Sequence, residues 1–595
     1  MKKGTLSTII CSIIVLISFI AILAFAAPKA PSRDSDDEFL EGSGIEISQL
    51  TDLQAESLYK LCKVWGYAKY RHPSVIDGTL NWDAELFRVM PDVLDAASPD
   101  EANTVLFLWL SQFPFEAAEP GVDTQQWIDL QDEKGMLSAD TDWISDTSFL
   151  GSDLSGYLER LSRVFITDRK DSYASFDLSS AGQISCKNEK MLPYSPQDDG
   201  VKLLALFRFW NIYEYYSPYV SITKIDWDEA LKQAIPRMPE ADTYRDYVLA
   251  IAETAALTGD AHIAVNDRQD TVESYYGTYF LPCLFQTVEG QVVVSEAAGS
   301  EDDGSLQRGD IITAVNGISI DERVETLSRY TAVPEEGKFS CVLNSSLLRS
   351  ERETADVDVV RNGEAVSLSV TCSESSFVSA DDHSSRLIAD GRIGYLNPVV
   401  SSENELEQIM EDFQDTEGII VDLRYYPPYF VYRLLGEYLI PEPTQFAVAA
   451  TPNAAEPGSF YRTDYCISGS GYLRSAGISD KEYPLYQGRV VILMDETSMS
   501  RTEYTIMALR QCPNAVVVGT PSLGADGDIV SVSLPGQITF SISGLGIFTP
   551  DGGQTQRIGL QPDIECAPTV EGIREGRDEL IEKATEIILS EKEAE

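Results

Sequence analysis

Histidine is scarce in this chain: there are three among 595 residues, and the nine cysteines are scattered without a C-x-x-C pair. Zinc and iron–sulfur sites take their ligands from closely spaced cysteine and histidine residues. The pattern therefore excludes the common metal centres, and we expect neither a metal nor another cofactor. Disulfide pairing stays open, because spacing alone does not define it.

Positively charged residues are also few. The chain has 45 lysine and arginine residues against 95 aspartate and glutamate residues, which gives a formal net charge of −50. Such a surface repels nucleic acid, so we exclude nucleic acid as a partner. A solvated acidic exterior is the simplest interpretation of this charge.

A long uncharged hydrophobic run follows two lysines within residues 1–27. At about 1.5 Å per residue, the run is long enough to span a bilayer. We interpret this segment as an export signal or a membrane anchor, and its length favours the uncleaved anchor. Residues 28–44 then form an acidic linker, and the rest of the chain is expected to be extracytoplasmic.

An internal repeat organises residues 45–275. Five residues recur at one constant offset: Trp65, Tyr70, Pro73, Trp82 and Asp83 correspond to Trp210, Tyr215, Pro218, Trp227 and Asp228. Each copy predicts a helix, a proline-containing loop and a further helix that starts at Trp-Asp. We therefore predict two related helical modules, residues 45–195 with a connector and residues 196–275, whose main role is that of a scaffold.

The second module ends in an Asp-x-His sequence at His262, after a predicted helix from Tyr244 to Leu257. The first module has no counterpart of this histidine. An isolated histidine is usually a surface residue or a satisfied core residue, so the pattern alone does not define a catalytic role. The other two histidines are weaker candidates, since His72 lies in a repeat loop and His383 in a polar linker.

Residues 276–378 resemble a PDZ domain. The sequence LQRGDIITAVNGISI, Leu306 to Ile320, matches the LxxGDxIxxVNG pattern and predicts two strands joined at Asn316-Gly317. PDZ domains bind extended peptides by adding them to a sheet edge. Peptide binding and a purely structural role both stay open.

Residues 386–595 predict an α/β domain with short buried strands. One of these, Val490 to Met494, is followed by a polar turn and a helix with Ser500 at its N-terminus. Free N–H groups and the helix dipole favour negative charge there, which suits a serine nucleophile. Ser500 and Glu503 also fit a capping box, in which they only stabilise the start of the helix. The local pattern leaves both alternatives open.

The order of a strand, SMSRTE, a helix and VVVGTPSLG resembles the nucleophile region of the tricorn and carboxy-terminal processing serine peptidases. The resemblance extends over nearly all of the chain after residue 44. It implies a C-terminal α/β peptidase core of the crotonase-like type, with Ser500 as the nucleophile and His262 as the general base.

The chain departs from the family pattern at three places. Relatives with a lysine base place it where this chain has Ala525, which leaves His262 as the base. A glutamate that would hold the histidine is replaced by Gln556, whose carbonyl can orient an imidazole without adding charge. The sequence YYPPY, Tyr425 to Tyr429, replaces a glycine-rich loop, and because proline has no N–H, the oxyanion would depend on the Arg501 N–H and a second donor.

We therefore predict a multidomain α/β serine peptidase, exported and anchored in the membrane through its N-terminal segment. It would hydrolyse polypeptides and engage their C-terminal ends through the PDZ-like domain. The alternative is a catalytically inactive peptide-binding protein on the same fold, because the oxyanion loop is altered. A third hypothesis, an acidic scaffold built on the helical repeat, explains neither Ser500 nor the Asp-x-His sequence.

Overall fold

The computed structural model describes residues 32–116, 135–176, 184–298, 304–334, 338–379 and 384–590. The predicted anchor in residues 1–27 and His383 lie outside these ranges. None of the described helices is long and apolar enough to cross a membrane. The eight cysteines in the described ranges are free thiols.

Helices dominate the N-terminal region and cover the sheets further along the chain. The N-terminal helices are α1 Asp52–Arg71, α2 Pro73–Ile76, α3 Trp82–Leu94, α4 Pro99–Leu110, α5 Thr147–Leu161, α6 Asp199–Tyr216, α7 Trp227–Ala234, α8 Arg237–Glu240 and α9 Tyr244–Ala256. The later helices are α10 Ile320–Ser328, α11 Ser340–Leu343, α12 Glu403–Asp412, α13 Tyr432–Leu439, α14 Tyr472–Ser475, α15 Arg501–Leu509, α16 Val570–Glu575 and α17 Glu579–Ser590.

Strands are short in the N-terminal half and longer after residue 280. Up to residue 319 they are β1 Gly135–Ser138, β2 Ser175–Phe176, β3 Ile184–Ser185, β4 Val265–Asn266, β5 Tyr279–Phe280, β6 Cys283–Val288, β7 Gln291–Ala297, β8 Ile311–Val315 and β9 Ile318–Ser319. Further along are β10 Arg349–Ser350, β11 Thr354–Arg361, β12 Glu364–Thr371, β13 Arg386–Ile388, β14 Ile393–Leu396, β15 Gly418–Asp422, β16 Thr444–Pro452, β17 Ser459–Ile467, β18 Arg489–Met494, β19 Ala515–Gly519, β20 Ile529–Leu534, β21 Ile538–Ser543, β22 Gly546–Phe548 and β23 Ile564–Glu565. The predicted α/β class and the helical N-terminal region are confirmed.

Both copies of the repeat contain the same reciprocal tryptophan pair. In the first copy, the indole N–H of Trp65 donates to the Trp82 carbonyl at 3.0 Å, and that of Trp82 donates to the Trp65 carbonyl at 2.9 Å. In the second copy, Trp210 and Trp227 make the same two bonds at 2.8 and 3.2 Å. All four rings are buried. Each pair ties the start of a Trp-Asp helix to the helix before it.

Four buried side chains of alternating charge join the two copies. Lys69 lies 3.1 Å from Asp83 and 2.8 Å from Glu189. Arg208 lies 2.6 Å from Asp83 and 3.0 Å from Glu189. Because every ion in the cluster has two counterions, attraction between them offsets the cost of removing the charges from water.

The sheet that supports the candidate nucleophile has the strand order β13-β14-β15-β18-β19-β23. All but β13 run parallel. Helix α17 covers one face, and α12, α13 and α15 cover the other, which explains the continuous apolar run VVILM in β18. The carboxyl ends of β15 and β18 therefore lie side by side, at the edge where α/β folds place their ligands.

A second sheet, of antiparallel strands, has the order β12-β11-β8-β7-β6, with β9 paired to β8. The predicted turn between β8 and β9 is present. Its central residues, Asn316 and Gly317, have φ values of 51° and 77°, as a two-residue hairpin of type I′ requires. β6 pairs only with β7 and forms one edge of this sheet in the described part of the chain.

Two further sheets attach the helical region to the C-terminal part of the chain. β1 extends the sheet β1-β17-β16-β22, and β4, which follows helix α9, extends the hairpin of β20 and β21. The second of these contacts brings the Asp-x-His segment to residues that lie far away in the sequence.

The buried charge cluster predicts a large loss of stability when one member is neutralised. Glu189→Gln leaves two cations beside a single anion, so we expect the free energy of unfolding of the helical region to fall by about 3–5 kcal/mol. All seven tryptophans lie between residues 45 and 275, so tryptophan fluorescence during urea unfolding measures this region. Asp464→Asn, which breaks an exposed pair with Arg462, is the control and should leave the transition almost unchanged. Equal losses in the two variants would contradict the prediction.

Candidate active site

Ser500 lies at a sharp turn between β18 and α15. Its backbone has φ 53° and ψ −121°, in the region of positive φ that non-glycine residues rarely adopt. The turn is held in place by its neighbours: the Ser500 N–H donates to the Ala525 carbonyl at 2.6 Å, and Ser498 Oγ donates to the Leu423 carbonyl at 2.7 Å. A strained strand-to-helix turn of this kind presents a serine hydroxyl at the edge of a sheet.

The buried carboxylate of Glu503 connects this turn to the loop after β19. It accepts hydrogen bonds from the N–H groups of Ser500, Gly524 and Ala525 at 3.2, 3.0 and 2.9 Å, and from Ser522 Oγ at 2.5 Å. The Glu503 half of the predicted capping box therefore forms. The same contact holds Ser500 in its strained conformation, so one structure accommodates both interpretations of the sequence.

His262 is positioned by the pairing of β4 with β21. Ser541 Oγ donates to the His262 carbonyl at 2.6 Å and accepts from the Ala264 N–H at 3.1 Å. The imidazole is buried, and its Nδ1 lies 3.0 Å from Ser543 Oγ. Its Nε2 has no hydrogen-bond partner among the described residues. Burial lowers the pKa of His262, so the ring is neutral at pH 7 and Nε2 is available as a base.

Asp260 is the carboxylate of the His262 environment. Its Oδ1 accepts from the His262 N–H at 3.0 Å and lies 3.9 Å from His262 Nδ1, and its Oδ2 accepts from the Ser543 N–H at 3.2 Å. The negative charge of Asp260 opposes the effect of burial on the pKa of His262. The sequence marked Asp260 through its spacing from His262, whereas no sequence signal pointed to Ser543.

Gln556 contacts Asp260 instead of the His262 imidazole that the sequence interpretation expects it to orient. Its Nε2 donates to Asp260 Oδ1 at 2.7 Å, and its Oε1 accepts from the Asp526 N–H at 3.1 Å. The structure gives it no hydrogen bond to His262, whose Nδ1 faces Ser543 instead. Any effect of Gln556 on His262 therefore passes through Asp260.

The segments that carry Ser500 and His262 border one cavity, although neither of these two side chains lines it. A cavity of about 230 Å³ is bordered by Met499, which precedes Ser500, and by Ala261 and Ile263, which flank His262. The structure contains no hydrogen bond between the two candidate catalytic side chains in its described part. Catalytic hydrogen bonds are often long before substrate binds, so the lack of this bond does not exclude a catalytic pair.

Arg501 is the first residue of α15, where the N–H groups of the opening turn have no intrahelical acceptor. Its guanidinium extends away from the helix, and Nη1 donates to the carbonyls of Pro427 and Pro428 at 3.0 and 2.5 Å. The side chain therefore fixes the YYPPY loop beside Ser500. The backbone N–H of Arg501 is the group that the sequence assigns to the oxyanion.

His72, the other described histidine, has a structural role. Its Nε2 lies 3.0 Å from the Phe113 carbonyl, its Nδ1 accepts from the Ser74 N–H at 3.2 Å, and its ring stacks on Trp82. Both ring nitrogens are thus engaged within the first helical copy. This agrees with the expectation that His72 is a weak catalytic candidate.

A buried carboxyl that the sequence did not mark lies beside the site. Asp526 has one oxygen, Oδ1, that accepts from the Gly527 N–H at 2.8 Å, and a second, Oδ2, that is buried without a hydrogen-bond partner in the described residues. Burial, together with the charge of Glu503, raises the pKa of Asp526 well above its ordinary value. Ionisation of this carboxyl is therefore disfavoured in the folded protein.

Comparison with known proteins identifies a family for part of the chain. Residues 438–566 match the family model described as peptidase family S41. The matched segment contains Ser500 and Gln556 and ends far from His262 in sequence. No curated protein matches the chain.

Solved structures align over about two thirds of the chain. Mature CPAF aligns with a TM-score of 0.50 and 14% identity, over 66% of this chain and 96% of that one. The photosystem II D1 C-terminal processing protease has a TM-score of 0.38 and 16% identity, over 63% and 96% of the two chains. The tricorn protease has a TM-score of 0.34 and 15% identity, over 66% of this chain and 37% of its own. At 14% identity, the likeness to CPAF concerns the fold.

The raised pKa of Asp526 predicts that the stability of the protein depends on pH. Its raised pKa means that the unfolded chain loses the proton first as the pH rises, so ionisation favours unfolding between the ordinary and the raised pKa. Asp526→Asn removes this effect. We expect the Tm of the variant, relative to that of the natural protein, to increase as the pH rises above the ordinary aspartate pKa.

Thermal unfolding at a series of pH values measures this difference. Asp528→Asn, at an exposed position two residues away, is the control and should show little change with pH. A Tm difference for Asp526→Asn that is the same at every pH would show that Asp526 is ionised throughout.

Proposed function

We propose, from the premise that this chain is a serine peptidase of family S41, that Ser500 is its nucleophile and His262 its general base. The single observation that carries this proposal is the hydrogen-bonded connection from the strained turn at Ser500, through Glu503 and the loop 524–526, to Gln556 and Asp260 beside a histidine with a free Nε2. Ser500 Oγ attacks the peptide carbonyl while His262 takes its proton and passes it to the leaving amine. Water then hydrolyses the acyl-enzyme by the same two steps.

Ser543 and Asp260 orient the base in this proposal. Contact with Ser543 Oγ engages Nδ1 and leaves Nε2 without a partner, as a base requires. The Asp260 carboxylate supplies the negative charge that stabilises the imidazolium formed during attack. Gln556 restrains this carboxylate through its amide. Asp260 thus supplies beside His262 the negative charge that a glutamate at position 556 would carry and that Gln556 lacks.

The Arg501 N–H is the proposed oxyanion donor. It belongs to the first turn of α15, where the helix dipole also favours negative charge. Pro427 and Pro428 have no N–H, so the neighbouring loop contributes through its shape and its carbonyl contacts with Arg501.

Residues 276–378 are proposed to act as a PDZ-like module and residues 386–595 as a crotonase-like catalytic core. Support for the former comes from the Asn316-Gly317 hairpin and from the outer strand β6, whose edge suits the addition of an extended polypeptide end. Polypeptides are the proposed substrates. The composition of residues 1–27 supports membrane anchoring and an extracytoplasmic location, which belong to the same proposal.

Covalent labelling tests the nucleophile. A fluorophosphonate should label the purified protein, and Ser500→Ala should abolish both labelling and peptide hydrolysis, with a loss of at least about 10³-fold. Ser475→Ala, at an exposed serine of α14, is the control and should behave as the natural protein. Undiminished hydrolysis by Ser500→Ala would overturn the assignment. Peptide binding without labelling in the natural protein would instead favour the inactive peptide-binding alternative.

A pH–rate profile tests the base. Because kcat/KM requires neutral His262, its acid limb should lie below the ordinary histidine pKa, in the direction that burial sets. Asp260→Asn removes the nearby charge that favours the imidazolium, so we expect the limb to move to still lower pH and kcat to fall at least about tenfold.

Two comparisons complete this test. Asp528→Asn removes an exposed charge that also acts on His262, and the limb should move much less because water screens that charge. His262→Ala should be nearly inactive, whereas folded His72→Ala should retain turnover despite lower stability. If Asp260→Asn leaves the acid limb at the same pH, Asp260 does not have the proposed role.

A further inference from the structure

The loop beside Ser500 is bound to the nucleophile turn at several points. Arg501 Nη1 donates to two successive proline carbonyls, at 3.0 and 2.5 Å. At the start of the loop, Thr497 Oγ1 donates to the Arg424 carbonyl at 3.0 Å. Two adjacent prolines further restrict the backbone of the loop. The loop is therefore a rigid neighbour of Ser500.

Two aromatic side chains, one in this loop and one directly after it, lie against the Arg501 guanidinium. The Arg501 Cζ atom lies 5.4 Å from the ring centroid of Tyr426 and 5.3 Å from that of Phe430. Contacts of this kind hold the rings by cation–π attraction. Tyr426 is nevertheless 48% exposed and Phe430 38% exposed. Both rings thus present apolar surface beside the side chain of Arg501, the residue that directly follows the proposed nucleophile Ser500.

A buried aromatic cluster supports the exposed rings from behind. Phe430 contacts Tyr432 and Tyr504 at centroid distances of 5.7 and 5.8 Å. Tyr504, one helical turn after Ser500 on α15, contacts Phe446 at 4.8 Å. Since the same helix carries both the nucleophile and this support, the position of the rings relative to Ser500 is preset.

We propose that Tyr426 and Phe430 determine substrate specificity by binding a large apolar or aromatic side chain next to the cleaved peptide bond. This inference rests on the proposed function, because it concerns the substrate of the same site. The two rings supply flat apolar surface at little cost in side-chain entropy, since each has only two rotatable side-chain bonds. The positive charge of Arg501 between them disfavours lysine and arginine at this position of the substrate.

Peptide series measure this specificity directly. Quenched peptides that are identical except for phenylalanine, leucine, alanine or lysine beside the cleaved bond are compared by kcat/KM, with the cleavage position read by mass spectrometry. We expect the natural protein to prefer phenylalanine over alanine by at least about tenfold, the range that apolar pockets provide. Tyr426→Ala and Phe430→Ala should each reduce this ratio several-fold, whereas Tyr426→Phe, which keeps the ring, should preserve it.

The control is Tyr472→Ala, at a tyrosine of α14 that is 45% exposed and lies outside the loop. It should leave the phenylalanine-to-alanine ratio unchanged. If Tyr426→Ala and Phe430→Ala also leave this ratio unchanged while hydrolysis still depends on Ser500, the specificity proposal alone is overturned. Hydrolysis that survives Ser500→Ala would overturn the proposed function, and this inference with it.

Discussion

A single buried carboxylate organises the candidate site. Glu503 accepts four hydrogen bonds, from the nucleophile turn and from the loop 522–525, and this full set of donors offsets the cost of burying its charge. The same bonds hold the unfavourable backbone conformation of Ser500. The loop continues to Asp526, whose N–H reaches Gln556 and through it Asp260. The proposed nucleophile and the proposed base are thus connected by one series of hydrogen bonds that begins at Glu503.

Two different parts of the fold position the candidate site residues. The parallel sheet and its helices provide the turn at Ser500, because only a strand end beside another parallel strand offers a sheltered edge for it. The repeated helical region provides His262 and aligns it through a two-strand contact with β21. The match to the peptidase family, residues 438–566, covers a portion of the first part and none of the helical region.

Local patterns in the sequence predicted the elements that depend on local forces. The strand before Ser500, the helix after it and the hairpin turn at Asn316-Gly317 all follow from hydrophobic runs and turn residues. The contacts of Gln556 did not follow, because a position counted along a motif carries no information on the direction of a side chain. The roles of Ser543 and of the Arg501 guanidinium depend on pairings between distant strands and loops, which no short window of sequence contains.

The pairing of β4 with β21 also sets an order of events during the life of the chain. β21 follows Ser500 in the sequence, so a polypeptide made from its N-terminus possesses its hydroxyl and its imidazole before it possesses the strand that aligns the imidazole. Chains truncated before β21 therefore lack the strand pairing that positions His262. The candidate site cannot be complete before residue 543 has been synthesised and β21 has paired with β4.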